Sequence, residues 1–287
     1  MATILDTLKK GAEYLQRHGV DEARLNMELL LAQVLKIDRM RLYLDFDRPL
    51  SETHLATLRE LTIRRGKGEP LQHLLGTVEF CDLEFHTDAR ALVPRPETEE
   101  LTRILLARSW PERASILDLG CGSGVIGLSL ARHLHARAVE VTLADVSPDA
   151  LALTRENASR LLPAEAGGRF VESDLFSALQ GERFDLIVAN LPYIPDSAET
   201  LLSREVRRDP ALALYGGETG TEVMERFLAS VDGHLRPGGF VAMEFGIDQA
   251  EALRRCAGEA GLESVEIRRD LDGIERFLFA VKSAQAC

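Results

Sequence analysis

The chain has 287 residues, 45% of them hydrophobic and 28% charged, and 46 Asp+Glu against 34 Lys+Arg give a formal net charge of −12. That composition excludes a disordered or fibrous main state. No apolar stretch approaches the ~20 residues of a membrane span, and Asp6, Lys9, Lys10 and Glu13 stand where a signal peptide needs its apolar run, so the whole chain is expected to work in the cytoplasm.

At roughly 100–200 residues per domain, the length points to two domains. From the N-terminus to about Leu75 the apolar residues recur at helical spacing. Ile4, Leu5, Leu8, Ala12 and Leu15 mark one face, Leu25, Leu29, Ala32 and Leu35 a second, and Leu55, Leu58, Leu61 and Thr62 a third. Asp21 and Ser51 stand as expected N-caps, and Gly19, Pro49 and Gly66 punctuate the ends. Residues 1–75 are therefore expected to form a small helical domain. Their charges nearly cancel, so the acidity belongs to the rest of the chain.

Residues 76–98 read as a connecting segment: TVEFCDLEFH is rich in β-formers and suggests a hairpin, and Val93-Pro94-Arg95-Pro96 is held extended by its prolines. A helix is expected from about Glu99 to Arg108. From residue 99 to 287 the pattern changes to short apolar runs alternating with amphipathic ones: ASILDLG, LSLARHL, VEVTLAD, ALALTRENASRLL, RFVESD, FDLIVAN, EVMERFLASVDGHL, GFVAMEFG, QAEALRRCAGEA, VEIRRD and RFLFAVK. Strands alternating with helices predict an α/β layer fold with a mostly parallel sheet.

Cys81, Cys121, Cys256 and Cys287 are far apart, with no C-x-x-C pair, and read as free thiols. Among the histidines only His133 and His135 are close, and two residues apart on a helix they point to different sides, so no metal site is expected.

Asp118-Leu119-Gly120-Cys121-Gly122-Ser123-Gly124 follows an apolar run and opens a helical pattern. Its glycines permit a tight turn and close approach of a ligand to the backbone, and the following helix offers unpaired N–H groups. Gly122, Gly124 and Gly127 also satisfy G-x-G-x-x-G, which leaves a dinucleotide site open. Asp145 ends the next strand, where an acid reaches the hydroxyls of a bound ribose, a group shared by NAD and S-adenosylmethionine. Asp174, after the third strand, is placed either to accept from an adenine amino group or to cap a helix.

The decisive run is Phe184 to Tyr193. An apolar strand delivers Asn190-Leu191-Pro192-Tyr193 to the carboxyl edge of the sheet, where open α/β sheets bind ligands. Here the chain resembles the S-adenosylmethionine-dependent methyltransferases that alkylate planar nitrogens and carry an N-P-P-Y tetrapeptide. An amide nitrogen is a poor nucleophile because its lone pair is delocalised. An asparagine oxygen and the next backbone carbonyl can accept its two protons, aim it, and favour the charge that develops on it. Tyr193 is placed to stack on the flat group. Leu191 stands where that motif has proline, but Pro192 after it favours the same extended turn.

The succession of a helical N-terminal domain, GEPLQHLLGTVEF, LVPRPETEEL, DLGCGSG and ANLPYI looks like the HemK-type release factor glutamine methyltransferases over essentially the full chain. The resemblance implies a Rossmann-like class I methyltransferase domain behind a small helical substrate-recognition domain. It implies transfer of a methyl group from S-adenosyl-L-methionine to the side-chain nitrogen (N5) of the glutamine in the Gly-Gly-Gln motif of peptide chain release factors, leaving S-adenosyl-L-homocysteine. By position, Gly120, Cys121, Gly122, Ser123 and Gly124 would cradle the donor, Asp145 its ribose, and Asp174 and Leu175 its adenine. Asn190 would bind the acceptor amide beside the donor, with Leu191, Pro192 and Tyr193 forming the pocket. Arg95, Pro96 and Glu97 match the family's stretch beside the site, with an ion-paired structural linker as the other reading, and Glu244 reads as structural.

A glutamine methyltransferase acting on a ribosomal large-subunit protein would use the same pocket. A nucleic-acid adenine N6-methyltransferase fits poorly, because phosphate binding relies on Lys and Arg and this chain is acidic. An NAD-dependent oxidoreductase lacks an evident catalytic donor, and a non-catalytic adaptor is the reading in which Leu191 has silenced the site. A monomer that binds protein and neither nucleic acid nor membrane is expected. The basic run Arg64, Arg65 and Lys67 is either a partner contact or a solvated helix end.

Overall fold

The computed structural model describes residues 2–163 and 168–284; Cys287 lies outside them. The chain forms two compact units. One comprises Met1–Thr77 together with Leu202–Arg208, the other Val78–Leu201 with Asp209–Cys287.

The first unit is helical: α1 (Ile4–Arg17), α2 (Ala23–Leu35), α3 (Arg39–Leu44), α4 (Glu52–Gly66) and α5 (Leu71–Leu75). Ile4, Leu8 and Leu15 of α1 are fully buried against Met27, Leu30 and Leu31 of α2 and Leu58 of α4. Thr3 caps α1 with a reciprocal capping box, its hydroxyl accepting from Asp6 N–H while the Asp6 carboxylate accepts from Thr3 N–H. Removing that hydroxyl in Thr3→Ala is expected to cost about 1 kcal/mol, read from the urea midpoint of the helical unit.

Two expectations for this unit fail. Asp21 does not cap α2; the helix begins from Glu22 in a left-handed conformation (φ 47°) with no side-chain cap. The predicted face of Leu25, Leu29, Ala32 and Leu35 is only half-buried, while Asn26, Met27, Glu28, Leu30 and Leu31 are buried. Because α2 packs against α1, α3, α4 and α5, it is covered on several sides and no single stripe identifies its core.

Leu202–Arg208 also belongs with these helices, although it lies far inside the stretch read as the second domain. Its Glu205 pairs with the buried Arg65 at 2.7 Å, and Arg204 donates to the His18 carbonyl. Arg65 further donates to Asn26 Oδ1 at 2.6 Å, and Arg64 makes a two-point pair with Glu69. Two members of the basic run are thus engaged inside the unit.

The second unit begins with the hairpin β1 (Thr77–Phe80) and β2 (Leu83–His86), turned by Cys81 and Asp82 at positive φ. Helix α6 (Pro96–Ala107) starts three residues before the expected Glu99, because Pro96 occupies the first helical turn, where a missing N–H costs nothing. Then follow β3 (Ser115–Leu119), α7 (Val125–His133), β4 (Glu140–Asp145), α8 (Pro148–Leu161), β5 (Arg169–Glu172), β6 (Phe184–Asn190), β7 (Ile194–Pro195), α9 (Ala211–Leu214) and β8 (Tyr215–Gly217). The chain closes with α10 (Glu222–Val231), β9 (Leu235–Glu244), α11 (Ala250–Glu259), β10 (Leu262–Arg269) and β11 (Glu275–Lys282).

Seven strands form one sheet in the order β10-β11-β9-β6-β3-β4-β5, in which only β11 runs against the others. Alternate residues of the central strands feed two cores, with Ile116, Leu186 and Val188 on one face and Leu117, Ile187 and Ala189 on the other. Burial on both faces explains why these strands read as continuous apolar runs. The parallel register aligns strand ends: Leu119 pairs with Ala144 and Ala189, and Asn190 pairs with Glu244. Residues 120, 145, 190 and 244 therefore share the carboxyl edge of the sheet.

Candidate active site

A cavity of about 380 Å³ opens at that edge, within the size range of small-molecule sites. Its wall includes Gly120, Cys121, Gly122, Ser123, Asp145, Asp174, Leu175, Asn190, Leu191 and Pro192, together with Arg95, Thr98 and Tyr215. Gly124 and Tyr193 are not part of the wall.

The glycine turn is built for close approach. Gly120, Gly122 and Gly124 all have positive φ (73°, 55° and 83°). A Cβ on Gly120 would come within 2.9 Å of Leu191 Cδ2, so the buried Leu191 side chain packs onto the turn itself. Gly124 closes the turn as the N-cap of α7, packed behind it by Thr154 and Leu128. Helix α8 props the same turn from below: Thr154 donates to the Gly122 carbonyl at 2.7 Å, and Asn157 donates to the Ser123 carbonyl at 3.0 Å.

Asp145 Oδ2 accepts from Gly122 N–H and Oδ1 from Ser147 N–H, both at 2.9 Å. Each oxygen keeps a lone pair for a ligand hydroxyl. Burial raises the pKa of this carboxyl, while the Ser147 and Gly122 bonds oppose the shift. Asp174 is exposed and pairs with Arg226 at 2.9 Å, and Leu175, at φ 47°, lies beside it on the cavity wall. The glycine cradle, the two-oxygen acid and the apolar Leu175 and Val146 flank together fit a nucleoside-bearing methyl donor. Gly120→Ala is expected to weaken donor binding about 5- to 30-fold in titration calorimetry, because alanine at that φ costs about 1–2 kcal/mol and meets Leu191.

Asn190 ends β6 half-buried, and its amide Nδ2 donates to Thr98 Oγ1 at 2.9 Å. Thr98 in turn donates to Glu244 Oε2 at 2.7 Å. The Tyr193 hydroxyl points to the other oxygen of the same carboxylate, 3.4 Å from Glu244 Oε1, so Tyr193 faces Glu244 where sequence reasoning had it stacking on a flat substrate. Burial pushes its phenol pKa up. The Tyr193 carbonyl is held by Gln249 at 2.9 Å, and the aromatic that reaches the cavity is Tyr215. Arg95 pairs with the buried Asp209 at 2.7 Å, and Asp209 also accepts from Val93 N–H. Thr98, Tyr215 and Asp209 escaped the sequence reading: a threonine in a helix, a tyrosine opening a three-residue strand and an acid before a proline carry no local signal of chemistry.

Among the described residues, no group of three His, Cys, Asp or Glu is placed to hold a metal ion, and no helix is long and apolar enough to cross a membrane. Cys81 and Cys121 are buried free thiols and Cys256 is a half-buried one.

Residues 6–76 match the family model of the PrmC N-terminal domain, and residues 96–208 that of the Methyltransferase small domain. The chain is 41% identical over 278 residues to the release factor glutamine methyltransferase of Geobacter sulfurreducens, covering 96% of this chain and 95% of that one. It is 38% identical over 287 residues to the protein of the same name from Chlorobaculum tepidum, covering 96% of each. A solved methyltransferase from Pyrococcus furiosus superposes with a TM-score of 0.53 at 19% identity, over 70% of this chain and 89% of that one, and shares the fold. With nearly the full chain matched at such identity, the protein belongs to the family of release factor glutamine methyltransferases.

Proposed function

We propose that this protein methylates the side-chain amide nitrogen of the glutamine in the Gly-Gly-Gln motif of peptide chain release factors, with S-adenosyl-L-methionine as donor. The observation that carries the reading is the placing of Asn190 on the same cavity wall as the glycine turn and Asp145. When bound, the donor supplies an activated methyl group on a sulfonium centre.

Gly120 to Gly124 hold the donor's backbone-facing side, Asp145 accepts from its ribose hydroxyls, and Asp174 and Leu175 flank its adenine. Asn190 offers its side-chain oxygen to one N–H of the acceptor amide, and the Leu191 carbonyl takes the other. Those two acceptors turn the nitrogen lone pair toward the donor and favour the positive charge that grows there. No strong base is needed at the moment of attack, because the proton can leave afterwards. Leu191 keeps this geometry in place of a proline by packing on Gly120, while Pro192 restrains it from the other side. The helical unit recognises the release factor, and the protein works in the cytoplasm as a monomer without binding nucleic acid.

The test is transfer of labelled methyl from S-adenosylmethionine to unmodified release factor, beside a copy whose Gly-Gly-Gln glutamine is alanine. Label on the first alone is expected. No label on either, with donor binding intact, would move the acceptor to a ribosomal protein or leave an adaptor.

A further inference from the structure

The Asn190 amide can do its work only if its oxygen faces the acceptor. An amide has a donor end and an acceptor end of nearly the same shape, so packing alone hardly distinguishes them. Hydrogen bonds behind the side chain must choose.

The groups behind it form a one-way chain. Glu244 is 1% exposed and closes β9, in register with Asn190 on β6. Thr98 is 3% exposed and lies in the first turns of α6, between them. Its single hydroxyl proton goes to Glu244 Oε2 at 2.7 Å, which leaves only lone pairs for Asn190 at 2.9 Å. An acceptor at that position binds Nδ2 and leaves Oδ1 for the cavity.

We propose that Thr98 and Glu244 are positioning residues for methyl transfer, which the ionised Glu244 carboxylate directs by orienting the Asn190 amide through the Thr98 hydroxyl. The inference rests on the methyl-transfer reading above. A proton on Glu244 Oε2 turns that oxygen from an acceptor into a donor to Thr98. The hydroxyl then turns its own proton toward Asn190, and the amide must reverse. Its N–H groups would then face those of the acceptor amide, and the productive complex is lost.

The surroundings of Glu244 suit such a device. Burial pushes its carboxyl up to about 7, opposed by the Thr98 hydrogen bond, raised further by Glu97 of α6, and lowered by Arg276 of β11 and the Tyr193 hydroxyl. Arg276 is itself shared with Asp270 at 3.3 Å and the Phe245 carbonyl at 3.0 Å. Nearby Arg95 is taken up by Asp209. The ionised form holds above the folded pKa, so activity is lost as pH falls through about 7.

The experiment compares wild type, Thr98→Ser, Thr98→Val and Glu244→Gln in single-turnover methyl transfer to release factor between pH 6 and 8.5, with donor affinity and thermal midpoint measured alongside. Thr98→Ser is expected to keep the wild-type rate and pH profile. Thr98→Val, of equal shape without the hydroxyl, is expected to lose about 10- to 100-fold in rate, the usual scale for a misaimed reacting group. Glu244→Gln, which cannot ionise but keeps an acceptor oxygen for Thr98, should lose the pH step near 7.

A Thr98→Val rate within twofold of wild type, or a wild-type step near pH 7 that persists in Glu244→Gln, would overturn the inference while leaving methyl transfer intact. A wild type that transfers no label would bring down the functional reading and this inference with it. Should Glu244→Gln fail to fold, the Thr98 pair decides the matter, since valine replaces the threonine hydroxyl by a methyl of similar size and serine keeps the hydroxyl that the proposal requires.

Discussion

Replacing Asn190 by alanine is expected to lower kcat by about 10²–10³, the magnitude seen when one oriented polar group is removed from a developing charge. Asn190 sits at the end of β6 with its Nδ2 already held by Thr98, so its oxygen is preset before substrate arrives. An alanine there leaves one acceptor N–H of the substrate without a partner in a partly dry site, and it frees the amide to rotate away from the donor. Donor affinity should change little, which separates lost chemistry from lost binding. Quench-flow at saturating donor and release factor is the measurement, and an unchanged rate would remove Asn190 from the mechanism.

Asp145→Ala is expected to act on the other half of the reaction. A hydrogen bond to a charged group contributes about 1.5–3 kcal/mol, and loss of the acid should raise the donor Kd roughly 10²-fold. The side chain also accepts from Gly122 N–H and Ser147 N–H, so its removal loosens the glycine turn from which the donor is approached. Asp145→Asn should fall between, because the amide keeps one acceptor oxygen but must present its N–H₂ to a backbone donor or a hydroxyl. Titration calorimetry gives the affinity, and kcat at saturating donor should stay within about threefold of wild type. A Kd that does not move would place the ribose elsewhere.

The fold was largely legible along the chain because its determinants are local. Alternating apolar and amphipathic runs, Pro148 after Ser147 and the glycines after β3 each act within a few residues, so pattern and turn chemistry suffice. The helical unit was legible only in outline. In α2 the neighbours on several sides bury Asn26 and Glu28 beside the leucines, and no periodic stripe survives. The return of residues 202–208 to that unit was invisible, because Glu205 meets Arg65 across 140 positions.

The same division holds at the site. The places of Gly120, Asp145 and Asn190 at one edge were readable because each stands at or just after the end of a strand, and parallel strands bring their carboxyl ends together. The roles proposed for them follow from residue type: glycine for positive φ, a carboxylate for hydroxyls, an amide for an amide.

Which way each side chain faces was decided by tertiary structure. Tyr193 turns to Glu244 while Tyr215 reaches the cavity, and Thr98 joins Asn190 to Glu244 across 92 and 146 residues. A hydrogen bond has direction and short range, so its partner is set by three-dimensional register, here the pairing of Asn190 with Glu244 on neighbouring strands. The sequence by itself determined the strand ends and the residues they carry; only the folded sheet decided that the Asn190 amide nitrogen has Thr98 behind it and that the oxygen end of the amide is left for substrate.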